Sequence, residues 1–290
     1  MTRRSVVQLA KDAKHAQHVF RHRLPELPAA VRDRTFRAMD RVRPYSYRDG
    51  SFPDSFVSSS PKVTAVAETR PVPMQVFAMW TGDNELTPNR REALDEITAD
   101  VQRAVIHLIT PATLGEWIVE GHPLHTAYSH LSLNHRSDYL RAYLLHHHGG
   151  IYLDIKRGYG DVVAATKALD DDRHAWVSGY RELGADYVSD EPGSIYRALR
   201  RHHGLLLGNG AFAVRPDTPF THEWLTEVNN RMDGWFAGLT QSPGNTFGTN
   251  DGYPVPWAAV QGAVFQPLCL KYAERVRSDD RFRPSFEDYR

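Results

Sequence analysis

The sequence predicts an α/β protein with a mostly parallel central sheet and a helical N-terminal extension. Three observations predict it. From Val72 onward, short apolar runs of strand length alternate with longer stretches of helical character. The breaks between them carry capping and turn residues where helices should start and stop. With 290 residues the chain has the length for one large α/β domain with an appendage or for two small domains, and with 41% apolar and 24% charged residues its composition is that of an ordinary globular protein.

Met1 to Arg43 holds 11 Lys and Arg against 4 Asp and Glu, with Val6, Leu9, Ala13, Val19 and Phe20 at helical spacing. Two readings fit this stretch: a basic helix that touches anionic lipid or a glycolipid carrier, and a solvated helix that packs on the core. Arg43 to Arg70 is rich in Pro, Ser and Asp and reads as a linker or surface wrap, not a core element. Residues 1–70 are therefore expected to form the extension and 71–290 the main domain. Met74 to Trp80, M-Q-V-F-A-M-W, is expected as a buried strand broken by Thr81-Gly82-Asp83-Asn84. Pro88 to Val101 follows as a helix, with Thr87 as its N-cap and Pro88 in its first position. Ala104 to Ile109 is a second buried strand, and Pro111 to Glu120 a short helix capped by Thr110. A further helix is expected over Ser137 to His148. Ser137 would cap it, Asp138 would sit in its first turn, and Gly149-Gly150 would end it. Ile151 to Asp154 is the third strand. Later strands are expected at Trp176–Gly179 and Leu205–Val214. Pro219 to Met232 is an amphipathic helix with Phe220, Trp224 and Val228 on one face.

The formal net charge is +0, which gives no case for a nucleic-acid partner. No run approaches the roughly 18 apolar residues of a membrane span. The opening M-T-R-R-S-V-V-Q-L-A-K-D turns charged again before a signal-peptide core forms. Cys269 is the only cysteine, so no intramolecular disulfide is possible. These features give an expectation of a cytoplasmic protein, peripheral at the inner membrane surface on the lipid-binding reading of residues 1–43.

The chemistry concentrates in S-D-Y-L-R-A-Y-L-L-H-H-H-G-G-I-Y-L-D-I-K, from Ser137 to Lys156. Asp138 and Arg141 lie three apart on a helix and share a face. Two glycines then turn the chain into a strand that ends at Asp154. In open α/β sheets ligands bind beyond the carboxyl ends of strands. A carboxylate placed there suits a hard divalent cation that also holds phosphate oxygens and steadies a departing diphosphate. An Asp–Arg pair at this spacing is also an ordinary surface ion pair, and Gly-Gly an ordinary turn, so the residues alone leave both readings open. His146, His147 and His148 do not converge on a metal, because consecutive helical residues face about 100° apart.

This segment resembles the DXD-containing sugar transferases of glycosyltransferase family 32, which include initiating mannosyltransferases and capsular polysaccharide synthesis proteins. It is similar, more distantly, to the glucosyltransferase domain of the large clostridial toxins. The shared pattern, S-D-x-x-R, a helix, then G-G-x-Y-x-D-x-D, is met by Ser137, Asp138, Arg141, Gly149, Gly150, Tyr152 and Asp154. V-F-A-M-W-T-G resembles the family's first strand, and G-Y-P-V-P-W-A-A-V-Q-G-A-V-F its late Y-P-x-x-W segment. The likeness runs from about Val72 to Tyr272. It implies a GT-A-like fold, a nucleotide-sugar donor, a glycan or glycolipid acceptor, and retention of configuration by a front-face route. By position, Trp80 would stack on the base, Asp138 and Arg141 would bind sugar hydroxyls and the diphosphate region, and Asp154 would touch ribose or a metal. Asp154, Asp138 and Arg141 are the candidate catalytic residues. Thr81, Ser137, Tyr152, Lys156, Asn209 and Trp257 complete the candidate donor site; around Asn209 the glycines Gly208 and Gly210 either let backbone approach a ligand or simply form a bulge.

The chain departs from the pattern at Lys156, where the family has its second acidic residue. Three accounts are open. Asp154 holds Mn2+ or Mg2+ together with Asp251 or Asn250; Lys156 itself supplies positive charge at the diphosphate; or Lys156 points away. The competing functions are a nucleotide-sugar-binding protein without activity and a membrane-surface scaffold built on residues 1–43.

Overall fold

The computed structural model describes residues 27–64, 69–101, 103–190 and 193–287. The expectation of a basic helix before residue 27 lies outside them. The elements follow in the order α1 (Leu27–Val42), β1 (Gln75–Met79), α2 (Pro88–Asp100), β2 (Val105–Ile109), α3 (Leu133–His147) and β3 (Gly150–Leu153). Then come α4 (Val162–Asp171), β4 (Val177–Arg181), α5 (Ser194–Arg201), β5 (Leu207–Val214), α6 (Pro219–Gln241), α7 (Gly262–Lys271) and β6 (Val276–Ser278).

The strands form one sheet in the order β2-β1-β3-β5-β4-β6. β1 runs parallel to β2 and β3, and β4 parallel to β6. β5 is antiparallel to both β3 and β4, so it alone runs against the rest. The α/β class and the mostly parallel central sheet are as expected.

Side chains alternate across the sheet, as strand geometry requires. Phe77, Met79, Tyr152, Phe212 and Val214 enter one core with the apolar faces of α3, α6 and α7. Val76, Ile151, Leu153, Ala211 and Ala213 enter the other, against Ile97 of α2 and Val162, Ala165 and Leu169 of α4. The sheet is therefore covered by helices on both faces. On the second face Arg215 is fully buried. It donates to the carbonyls of Ala175, Leu169, Asp170 and Arg70 at 2.7–3.0 Å and pairs with Asp170 at 2.8 Å.

Several local expectations change. β2 is an edge strand with Val105 61% exposed, not a buried one, because among the described residues no strand covers its outer side. Pro111–Glu120 yields only a short turn of 3-10 helix at Leu114–Trp117, and Thr110 Oγ1 accepts from the Thr113 N–H at 3.3 Å. α3 begins a full turn earlier than Ser137. Its cap is Ser132, whose Oγ accepts from the His135 N–H at 3.2 Å, so Ser137 and Asp138 lie in the second turn. α6 continues nine residues past Met232 to Gln241, adding Leu239 to the buried face. The stretch after Arg43 is more than a surface wrap: Tyr47, Phe52 and Val57 are buried in the main core. Lys271, itself fully buried, holds it down by donating to the Ser60 carbonyl at 2.9 Å while pairing with Glu223 at 2.8 Å.

The Gly149-Gly150 corner fixes how α3 enters β3. Both residues have positive φ, +65° and +105°, a region that favours glycine. A β-carbon on Gly149 would lie 2.5 Å from the Pro216 ring, and one on Gly150 would lie 2.8 Å from the Gln75 carbonyl oxygen.

Candidate active site

β1, β3 and β4 end on the same side of the sheet, and β5 begins there. Trp80 and Thr81 follow β1, Asp154 follows β3, Glu182 follows β4, and Asn209 and Gly210 lie near the start of β5. Asp154 stays attached to the sheet by donating its N–H to the Gly210 carbonyl at 2.8 Å.

The Asp138–Lys156 segment folds into one charged cluster. Arg141 Nη1 lies 3.2 Å from Asp138 Oδ1, and Nη2 lies 3.5 Å from Asp154 Oδ1. Arg141 also donates to the Asn209 carbonyl at 3.0 Å, and its guanidinium lies over the Tyr152 ring at 4.4 Å from the centroid. The Tyr152 hydroxyl donates to Asp154 Oδ1 at 2.6 Å. Lys156 Nζ sits 2.8 Å from Asp154 Oδ2, so Lys156 does not point away. The four charged side chains are only 12–20% exposed. Burial opposes ionisation of Asp154, but Lys156 and Arg141 outweigh it and hold the carboxyl at about 2. Burial dominates at Asp138 and raises its carboxyl above the ordinary range, against the pull of Arg141.

The remaining candidates divide. Trp80 is half-buried at the β1 end, packed with Leu86, Leu94 and Leu108, and donates its indole N–H to the Asn84 carbonyl at 2.6 Å. Thr81 is buried and committed to structure, its hydroxyl donating to the Leu133 carbonyl at 2.6 Å. Ser137 faces Met79 from inside α3. Trp257 is 65% exposed on the rim, where its carbonyl lies 3.2 Å from His135 Nε2. His135 also stacks on Tyr253 and meets its hydroxyl at 2.8 Å, which clamps the Y-P-x-x-W segment to the first turn of α3. Of the three consecutive histidines, the rings of His146 and His147 meet at 4.7 Å between centroids, and His148 has partners of its own. His146 meets Thr221 Oγ1 at 3.1 Å, His148 meets the Trp117 carbonyl at 2.9 Å, and the His147 ring packs on Tyr143 and His122.

The donor set does not fit a resident divalent ion. Asp154 is occupied by two cations and a phenol, and its neighbour in the motif is itself a cation. Asp251 is exposed on a turn, and no hydrogen bond or ion pair joins it to Asp154 among the described residues. Asn250 is used within its own loop, accepting from the Asn245 N–H at 2.9 Å and donating to the Pro243 carbonyl at 3.0 Å. No group of three His, Cys, Asp or Glu among the described residues is arranged to hold a metal.

Sequence reasoning missed several residues at this end of the sheet. The Tyr159 hydroxyl donates to the Asp154 carbonyl at 2.9 Å, and the Tyr180 hydroxyl accepts from the Gly210 N–H at 3.3 Å. The Phe286 ring lies 5.2 Å from Lys156 Nζ and packs edge-on to Tyr180. Arg90 on α2 donates to the Ile155 carbonyl. Tyr159 carries a local signal, lying five residues past Asp154 between Gly158 and Gly160. The others reach the site through long-range pairing that no local motif announces.

No curated protein matches the chain. Among solved structures, one similar chain is the PaToxG glycosyltransferase, at 12% identity and a TM-score of 0.33 over 71% of this chain and 69% of that one. Residues 73–160, which include Trp80 and the whole Asp138–Lys156 cluster, match the family model described as a glycosyltransferase sugar-binding region containing a DXD motif.

Proposed function

We propose that this protein is a retaining glycosyltransferase of GT-A type that moves a hexosyl group from a nucleotide-sugar donor to a hydroxyl of a glycan or glycolipid. We further propose that side-chain cations, rather than a bound divalent ion, meet the donor diphosphate. The observation that carries this reading is the Lys156–Asp154–Arg141 arrangement outside the β3 end, within the segment that matches the sugar-binding region. Transfer requires stabilisation of a departing nucleoside diphosphate, and fixed positive charge in a largely water-excluded site supplies it. Arg141, held by Asp138, Asp154 and the Tyr152 ring, is pre-oriented for that task. Lys156 stands where the metal-binding acid stands in the DXD pattern and can exchange part of its pairing with Asp154 for phosphate oxygens. The half-buried Trp80 offers an aromatic face at the β1 end for a base. In this reading residues 71–290 form the catalytic unit, and the basic stretch 1–43 is the part that would meet a lipid-borne acceptor.

The test is release of nucleoside diphosphate from UDP-glucose, UDP-N-acetylglucosamine and GDP-mannose, each with EDTA and with Mn2+. Turnover of at least one donor that persists in EDTA is expected. Asp154→Asn and Asp138→Ala should each abolish it while leaving the thermal transition cooperative. Binding without turnover would favour a non-catalytic nucleotide-sugar-binding protein, and turnover only with Mn2+ would refute the cationic reading.

A further inference from the structure

Beside the charged cluster lies a set of uncharged polar groups that the reading above does not use. α7 begins at Gly262, and its N-cap residue Gln261 makes no capping bond through its side chain. Gln261 is 3% exposed, and among the described residues neither its Oε1 nor its Nε2 has a hydrogen-bond partner. Among the described residues it is the one buried side chain with two such orphaned atoms. A buried amide left this way is costly, and native proteins seldom keep one without a use.

Its neighbours show where it stands. A β-carbon on Gly262 would lie 1.9 Å from Ser189 Oγ and 2.9 Å from Asn209 Nδ2, so the helix start rests directly on both side chains. Asn209 Oδ1 is itself buried without a partner among the described residues, and so is Arg141 Nε. The Asn209 backbone is tied to Arg141, and a β-carbon on the next residue, Gly210, would lie 2.9 Å from Asp154 Oδ2. Four unmet hydrogen-bonding atoms thus belong to the residue that precedes Gly262, to the Asn209 side chain on which Gly262 rests, and to the guanidinium tied to the Asn209 backbone. Ser189 is braced from behind: its N–H donates to Gln266 Oε1 at 2.8 Å, and Gln266 Nε2 donates to Glu182 Oε2 at 2.7 Å.

We propose that Gln261, Asn209 and Ser189, at the N-terminus of α7, form the subsite that binds the hydroxyl groups of the transferred sugar and selects an uncharged hexosyl group. A carboxamide offers two donors and an acceptor, the complement of vicinal hydroxyls, each of which donates and accepts. The three side chains carry no formal charge, and the two cations of the neighbouring cluster, Arg141 and Lys156, are already paired with Asp138 and Asp154. A uronic or other acidic sugar would bring a negative charge to this place with no new cation to meet it. Asn209 directly precedes Gly210, which abuts Asp154, so the subsite is assigned to the sugar end of the donor and not to the base.

This inference rests on the glycosyltransferase reading, and the experiment separates the two. Binding of UDP-glucose, GDP-mannose, UDP-glucuronate, UDP and GDP is measured by calorimetry on the full chain, wild type and Gln261→Leu. Leucine replaces an unpartnered amide with an apolar group of similar size, so the variant should unfold at or above the wild-type temperature. The expected result is at least a tenfold loss of affinity for the preferred neutral sugar nucleotide, with affinity for its free nucleoside diphosphate unchanged. Ser189→Ala, read the same way, is a second and independent arm that should also weaken only the sugar nucleotide. Equal losses for sugar nucleotide and nucleoside diphosphate, or no loss in either variant, would overturn the subsite while leaving the transferase reading in place. Tightest binding of the glucuronate donor would overturn its selectivity for neutral sugars. A wild type that binds none of the five would overturn the transferase reading and the subsite with it.

Discussion

Lys156→Asp restores the acidic pattern that the chain lacks, and the structure sets the size of its effect. Asp154 has Lys156 Nζ at 2.8 Å and Arg141 Nη2 at 3.5 Å. Its carboxyl falls from an ordinary 3.8 to about 2, roughly 2 kcal/mol in favour of the charged form. Because the folded-state value is the lower one, this stabilisation is present above the unfolded value and is lost as pH falls through about 2. Lys156→Asp removes the principal attraction and adds a like charge. At an effective dielectric constant of about 20, two charges some 4 Å apart interact by about 4 kcal/mol, an upper bound because the two carboxylates can turn away from each other. A net loss of about 3 kcal/mol at neutral pH is expected without metal, a fall of about 6–12 °C in Tm for a chain of this size. A divalent cation between two carboxylates reverses the sign of that interaction. Thermal unfolding in EDTA and in millimolar Mn2+ should therefore show a large Mn2+-dependent recovery in Lys156→Asp and none in the wild type. An equal Mn2+ stabilisation of the wild type would refute the reasoning, as would a variant in EDTA as stable as the parent.

Glu182 supplies a pH test. Burial pushes its carboxyl up to about 8, against hydrogen bonds from the Leu183 N–H and Gln266. The folded chain thus keeps a proton that the unfolded chain releases near 4.5, so stability should fall by about 1.4 kcal/mol per pH unit between about 4.5 and 8. Urea unfolding of Glu182→Gln at pH 5 and pH 8 should show that slope removed, and an unchanged slope would exclude Glu182 as its source. Arg215→Met should cost about 3–5 kcal/mol, because Asp170 and a ring of buried carbonyls lose their donor, and a cost below about 1 kcal/mol in urea would contradict the geometry. Gly149→Ala should destabilise by about 1–3 kcal/mol through positive φ and collision with Pro216, and a neutral result would show that the corner repacks.

The charged cluster was legible because its members are close in sequence. A three-residue step on a helix, a two-glycine corner and a short strand place Asp138, Arg141, Tyr152 and Asp154 together almost by local geometry. Helix boundaries were less legible. Ser137 followed by Asp138 looks like a cap, yet Ser132 takes that role because Tyr253 and His135 close around it from elsewhere in the chain. α7 gave no periodic signal, since every residue in it is buried and helical patterning needs a solvent face. Tyr180, Ser189 and Gln261 were invisible for a topological reason: the antiparallel β5 brings β4 and its following loop beside β3, and no local sequence feature encodes that pairing.

The segment after β6 has a consequence for how the protein matures. Its Arg281 carbonyl accepts from the Gly160 N–H, its Ser285 N–H donates to the Arg157 carbonyl, and Phe286 covers Lys156. The loop that carries Lys156 is therefore finished by residues from the far end of the chain. During synthesis the strands and α3 emerge long before these partners, so the sheet can assemble while the Lys156 loop lacks its last contacts. The nascent chain would complete the Lys156 loop only once residues 281–286 have emerged.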